Sequence, residues 1–289
     1  MLFRSKIFSR NKARTEQTAE CMQEIVHFSA CSDVGVVRET NQDNLYVMQP
    51  VLTHDRLLHY EVCGDVPLPA VFAICDGMGG GRNGEDASYL AIRMIEQIDV
   101  QLVSRKSDEE LERYFSGLCQ QMNDAVYEQY GHMGVLVGCT VVLMYMDELR
   151  CCFVNVGDSL GMCLSDGQGL QIRTQSDNRA NQLYLMGQIR EEERWTHQTK
   201  NQLTQYLGMD PQEVRISPHI CRINRTDEDI TYMICSDGLL DHNQFGQLES
   251  RLAENTIDTA ARVCVRDAME SGSRDNVTAI VMKVETLKK

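Results

Sequence analysis

The sequence predicts an α+β fold, and three observations carry that expectation. Short apolar runs rich in valine, isoleucine and methionine, at 70–75, 230–236 and 277–284, read as buried strands. The runs 138–145 and 149–156 lie close enough in sequence to form a hairpin around 146–148. Two long amphipathic helices follow one another ahead of that hairpin. Strands in hairpins with helices gathered between them argue for α+β and against a βαβ series.

In chain order, residues 44–48 read as a strand, followed by the apolar run 70–75. The stretch 85–103 puts Ala87, Leu90, Ala91, Met94, Ile95 and Ile98 on one helical face. Ser107 and Glu110 have the spacing of a capping box, opening a helix striped by Leu111, Phe115, Leu118, Met122 and Val126. Asp166-Gly167 reads as a turn. Ile257, Ala260, Ala261, Cys264 and Ala268 mark one more amphipathic helix before the last strand. Trp195 reads as a packing anchor and His132 as a solvated loop residue.

The chain of 289 residues is long enough for one large core, and no Pro- or Gly-rich linker divides it. Residues 1–24, with Arg4, Lys6, Arg10, Lys12 and Arg14, read as a basic flexible segment, and 25–286 as a single domain. Acids outnumber bases 42 to 28, which argues against a nucleic-acid partner. Twelve irregularly spaced cysteines suit reduced thiols in the cytoplasm. No apolar run approaches the eighteen residues of a membrane span.

The chemistry sits where strands meet solvent. Asp76-Gly77 and Asp237-Gly238 end two apolar runs, and Asp275-Asn276 opens a third. Converging carboxylates repel one another and raise each other's pKa unless a divalent cation neutralises them. Oxygen donors without a His or Cys cluster favour Mg²⁺ or Mn²⁺ over zinc. Glycine beside Asp76 lets backbone approach a ligand and offer a carbonyl. Ahead of them, SDVGVVRETNQDNLY carries Arg38 and Asp43, and a guanidinium beside hard-metal ligands suits a tetrahedral oxyanion such as phosphate.

The ordered motifs RETNQD (38–43), DGMGG (76–80), GCT (138–140), GDS (157–159), SDGLL (236–240) and SRDNVT (273–278) resemble the bacterial form of the metal-dependent protein phosphatase 2C family. The resemblance implies two packed, mainly antiparallel sheets with helical pairs outside. It also implies two Mg²⁺ or Mn²⁺ ions, with Asp76 bridging, the Gly77 carbonyl as a ligand, and Asp237 and Asp275 completing the shell. Asp43 matches an acid that holds water, and Arg38 the arginine that grips phosphate. Asn276, Thr140 and Asp158 match supporting positions.

Several positions depart from the family pattern. Leu160 stands where arginine is common, Asn178 where histidine is common, and Met78 where some relatives have histidine. The stretch GHMGVLVGCT lacks the acid that holds a third ion in many members, so two ions are expected. The implied function is hydrolysis of phosphoserine and phosphothreonine in proteins by metal-activated water, and it leaves room for a cognate kinase. The alternatives are a phosphatase of small phosphomonoesters and a non-catalytic phosphoprotein-binding module.

Overall fold

The computed structural model describes residues 23–79, 82–226, 228–240 and 245–287. Most of the basic start and Gly80 and Gly81 of the glycine loop therefore lie outside the described residues. The elements run β1 (Gln23–Asp33), β2 (Asp43–Val47), β3 (His59–Pro67), β4 (Ala70–Met78), α1 (Asn83–Ile95), α2 (Val100–Val103) and α3 (Asp108–Tyr130). They continue with β5 (Gly138–Cys139), β6 (Val141–Met146), β7 (Arg150–Val156), β8 (Leu160–Ser165), β9 (Gly169–Ile172), α4 (Arg179–Leu185) and β10 (His219–Asn224). The chain closes with β11 (Ile230–Cys235), α5 (Phe245–Glu254), α6 (Ile257–Glu270) and β12 (Val277–Leu287).

Two antiparallel sheets pack face to face, with strand orders β3-β1-β12-β11-β8-β9 and β10-β7-β6-β4-β2, and β5 pairs with β4. The expected hairpin is there, with Val141 opposite Val156 and Met146 opposite Cys151. Strand β4 shows why its sequence is continuously apolar. Phe72 and Ile74 face the other sheet, while Val71, Ala73 and Cys75 face α1 and α3. On β12, Ile280 and Met282 face the sandwich and Ala279 and Val281 face α6. Both sheets are thus covered on both faces, which removes the apolar/polar alternation of a half-exposed strand. Phe28 and Phe72 meet between the sheets with centroids 5.5 Å apart.

The helices follow their local signals. Ser107 and Glu110 form the reciprocal capping box at the start of α3. Two expectations need correction. The helix expected over 85–103 breaks after Ile95, and Asp99 caps the short α2 by accepting from the Leu102 amide at 3.0 Å. An Asx cap here wins over the continuous apolar stripe. The strand expected over 138–145 is interrupted at Thr140, whose side chain bonds toward Asp76. Asp166-Gly167 lies between β8 and β9, with Gly167 at φ +82. Trp195 stacks edgewise on Phe245, with centroids 4.7 Å apart, and His132 is exposed. The eleven described cysteines are free, and no described helix is long and apolar enough to cross a membrane.

Candidate metal centre

One end of the sandwich collects the acids from both sheets. On one sheet, β2 and β4 pair so that Asp43 lies opposite Asp76. On the other, Cys235 pairs with both Ala279 and Leu160, which brings Asp237, Asp275 and Asp158 to the same end. Arg38, Gln42, Asp76, Gly77, Thr140, Asp158, Asp237 and Asp275 line a single cleft of about 470 Å³. The sequence-predicted site residues Arg38, Asp76, Gly77, Asp237 and Asp275 therefore share one cleft, with Asp43 buried behind Asp76.

Asp43 ties the sheets together. Ser236 Oγ donates to its Oδ2 at 2.8 Å and Thr278 Oγ1 at 2.6 Å, both from the opposite sheet. Its Oδ1 is buried and accepts no hydrogen bond from the described protein. Burial and the charges of Asp275 and Asp237 push the Asp43 carboxyl up to about 7, against the two hydroxyl bonds. Asp76 lies well above the usual carboxylate range because of burial and the charges of Asp43, Asp237, Asp275 and Asp158. Asp158 is raised by burial and Asp237, although a bond from Asn178 holds it down.

The backbone around these acids is held closely. Thr140 clamps Asp76 from both sides, its amide donating to Asp76 O at 2.8 Å and its Oγ1 accepting from Asp76 N at 3.1 Å. Ser159 Oγ and Thr140 Oγ1 are 2.7 Å apart. Asn276 fixes the arginine loop to β12: its Oδ1 accepts from Gln42 N at 2.9 Å, and its Nδ2 donates to Val34 O and Thr40 O. Gly35, at φ +78, brings that loop against Asp275, where a Cβ would stand 2.3 Å from the Asp275 carbonyl oxygen. Arg38 Nη2 then donates to Asp275 Oδ2 at 2.8 Å.

The donor set fits hard divalent cations. It consists of carboxylates, the backbone of Gly77 at the cleft wall, and a buried oxygen on Asp43 that accepts no hydrogen bond. Among the described residues no three His, Cys, Asp or Glu side chains form a closed chelate.

The departures have physical roles. Leu160 is a core residue, 2% exposed, at the start of β8 and packed in the apolar cluster beneath α5 and α6. Asn178 caps α4 through the Asn181 amide and also bonds Asp158. Asp177 accepts from His219 Nε2, Gln205 Nε2 and Gly157 N, which fastens its segment to the strand ends. Val135, in the stretch expected to lack a third-ion acid, is 55% exposed. Reasoning from the residues missed Ser236 and Thr278 as the partners of Asp43. Their signal was adjacency to Asp237 and Asn276 inside the quoted motifs, but only strand register shows that both face Asp43.

The family model for protein phosphatase 2C matches residues 55–274. The serine/threonine phosphatase stp of Listeria innocua is 26% identical over 267 residues, spanning 91% of this chain and 98% of that protein. The serine/threonine protein phosphatase PstP of Mycobacterium tuberculosis is 26% identical over 262 residues, 90% of this chain and 45% of that protein. The solved catalytic domain of PstP, in complex with two manganese ions, is similar with a TM-score of 0.69 at 25% identity, over 90% of this chain and 99% of that one. The fold also matches serine/threonine phosphatase Stp1 from Staphylococcus aureus, with a TM-score of 0.73 at 24% identity over 95% of this chain and 99% of that one. Since the family model spans most of the length and the six motifs meet at one cleft, the chain belongs to the protein phosphatase 2C family.

Proposed function

We propose that residues 25–286 form one catalytic unit that hydrolyses phosphoserine and phosphothreonine monoesters in proteins with Mg²⁺ or Mn²⁺. Asp76, the Gly77 carbonyl, Asp237 and Asp275 would hold two ions. The observation that carries the reading is the crowding of aspartates from both sheets around one cleft with Arg38 at its edge. When bound, such a pair of ions polarises phosphoryl oxygens and supplies a nucleophile near neutral pH.

The chain's own residues do the rest. Arg38 presents a planar fork to the phosphoryl oxygens and offsets the charge that develops on them. Asp43, locked by Ser236 and Thr278, keeps an oxygen in position to orient water. Thr140 fixes the backbone of Asp76 and the Asn276 amide donates to the Asp275 carboxylate, so little reorganisation is needed as charge shifts. Met78 supplies no proton to the leaving serine or threonine oxygen, so that proton comes from metal-bound water or another donor at the cleft.

Phosphorylated proteins are the substrates, and a protein kinase that installs those phosphates is the partner such an activity requires. Eleven free thiols support a reducing compartment, the cytoplasm. The test is phosphate release from phosphothreonine peptides and from small metabolite phosphates, before and after EDTA and after Mn²⁺ is restored. Peptide hydrolysis that EDTA stops and Mn²⁺ restores is expected. Activity confined to small phosphates would replace protein substrates with metabolites, and full activity in EDTA would remove the metal mechanism.

A further inference from the structure

We infer that the apolar part of the cleft wall, Met78, Leu136, Leu203 and Tyr206, selects phosphoproteins carrying an apolar side chain next to the phosphorylated residue. The inference rests on the phosphatase reading and extends it to substrate choice. Leu136 is 64% exposed and its neighbour Val135 55%, so a bulky apolar surface stands open beside the acids. The side chain adjoining a phosphoresidue bound in the cleft is the group positioned to cover it, and covering it removes apolar area from water.

The wall is built rigidly. Met78 pairs with Gly138 between β4 and β5, and Cys139 and Leu207 exchange backbone bonds of 3.0 and 2.8 Å. The Tyr206 ring lies on Gly138, where a Cβ would come within 2.6 Å of it. Leu203 is bridged to Asn178, the residue that bonds Asp158. The segments bearing Met78, Leu203 and Tyr206 are thereby held to the acids through backbone pairing, and that part of the apolar surface loses little entropy when a side chain docks. An acidic neighbour in the substrate would instead face Asp76, Asp158, Asp237 and Asp275.

The experiment uses full-length protein in Mn²⁺ with phosphothreonine peptides of equal length and charge, differing only in leucine or serine beside the phosphothreonine. The leucine peptide should show a kcat/KM about five- to tenfold higher, mainly through KM, as expected for one partly covered apolar side chain. In Leu136→Ser/Leu203→Ser that ratio should fall to about one, while Leu136→Met should retain it. The ratio is internal to each variant, so a general loss of activity cancels, and Leu136 is exposed enough for serine to leave the core intact. A ratio near one in the wild type, or an undiminished ratio in the double variant, overturns the inference. So does a wild-type dimer that the double variant dissolves, because the patch would then be covered by a second copy. Hydrolysis of p-nitrophenyl phosphate in Mn²⁺ reports separately on the phosphatase reading; its absence along with all peptide activity would remove both.

Discussion

Arg38 and Asp275 form an ion pair at 2.8 Å, yet both are assigned to other partners when the site works. The guanidinium would turn to the substrate's phosphoryl oxygens and the carboxylate to a metal ion. The pair therefore keeps two charges in place on an open cleft edge, where Arg38 is about half exposed. Its direct worth to stability is small, as for other solvent-exposed pairs. In Arg38→Ala, phosphopeptide kcat/KM should fall by about 100-fold or more, because a charged, bidentate contact to the transition state is lost. Mn²⁺ affinity measured by calorimetry should hold or tighten, since Asp275 loses a competing cation. Weaker Mn²⁺ binding in that variant would place Arg38 in support of the ions. Asp275 itself was legible in the sequence as an acid at a strand mouth. Its pairing with Arg38 was not, because it depends on Gly35 bringing a loop 237 residues distant in sequence against it.

At the level of elements, the site depends on close backbone contacts that only glycine permits. A Cβ on Gly77 would stand 2.1 Å from the Gly84 carbonyl oxygen and 2.7 Å from that of Gln42, joining β4, α1 and the arginine loop. Gly77→Ala should destabilise the metal-free protein by roughly 2–4 kcal/mol, read from urea unfolding. Gly117, within α3, has nothing within 4 Å of an added Cβ, and Gly117→Ala should stabilise by about 0.5–1 kcal/mol. Equal effects of the two changes would contradict the packing account. The sequence made the strands and amphipathic helices readable because burial on one face or both leaves an apolar pattern. It hid the break after Ile95 and the interruption at Thr140, where a hydrogen bond from Leu102 N to Asp99 and one from Asp76 N to Thr140 override that pattern.

A second junction between elements carries a pH signature. His27 on β1 lies between Asp65 of β3, 2.5 Å from Nδ1, and Asp258 of α6, 3.0 Å from Nε2. An imidazolium serves both carboxylates at once, each ring nitrogen donating to one of them. Partial burial works against that charge, but Asp65, Asp258 and Glu285 outweigh it and raise the pKa above its ordinary 6.5. A histidine raised in the folded state contributes stability fully below the unfolded value and loses it as pH rises through the folded one. The melting temperature of wild type minus His27→Gln should thus be largest below about pH 6.5 and shrink toward higher pH. A difference independent of pH would contradict the charged-imidazole assignment.

Across the whole molecule, two covered sheets form a stiff sandwich whose strand ends deliver carboxylates from both sides to one cleft. The arrangement is locally costly: Asp43, Asp76 and Asp158 are all raised by burial and by neighbouring negative charge. Divalent cations relieve this repulsion, so folding and metal binding are coupled. Six ordered motifs made that end of the molecule legible before any coordinates, whereas the hydroxyls of Ser236 and Thr278 needed the inter-sheet register. The most direct measurement is phosphate release from a phosphothreonine peptide across a Mn²⁺ titration, for wild type and Asp76→Asn in parallel. The account requires saturable Mn²⁺-dependent turnover in the wild type and a loss of about 1,000-fold or more in the variant, a magnitude typical of losing a central electrostatic group. Asp76→Asn that retains wild-type turnover at the same Mn²⁺ concentration would contradict it.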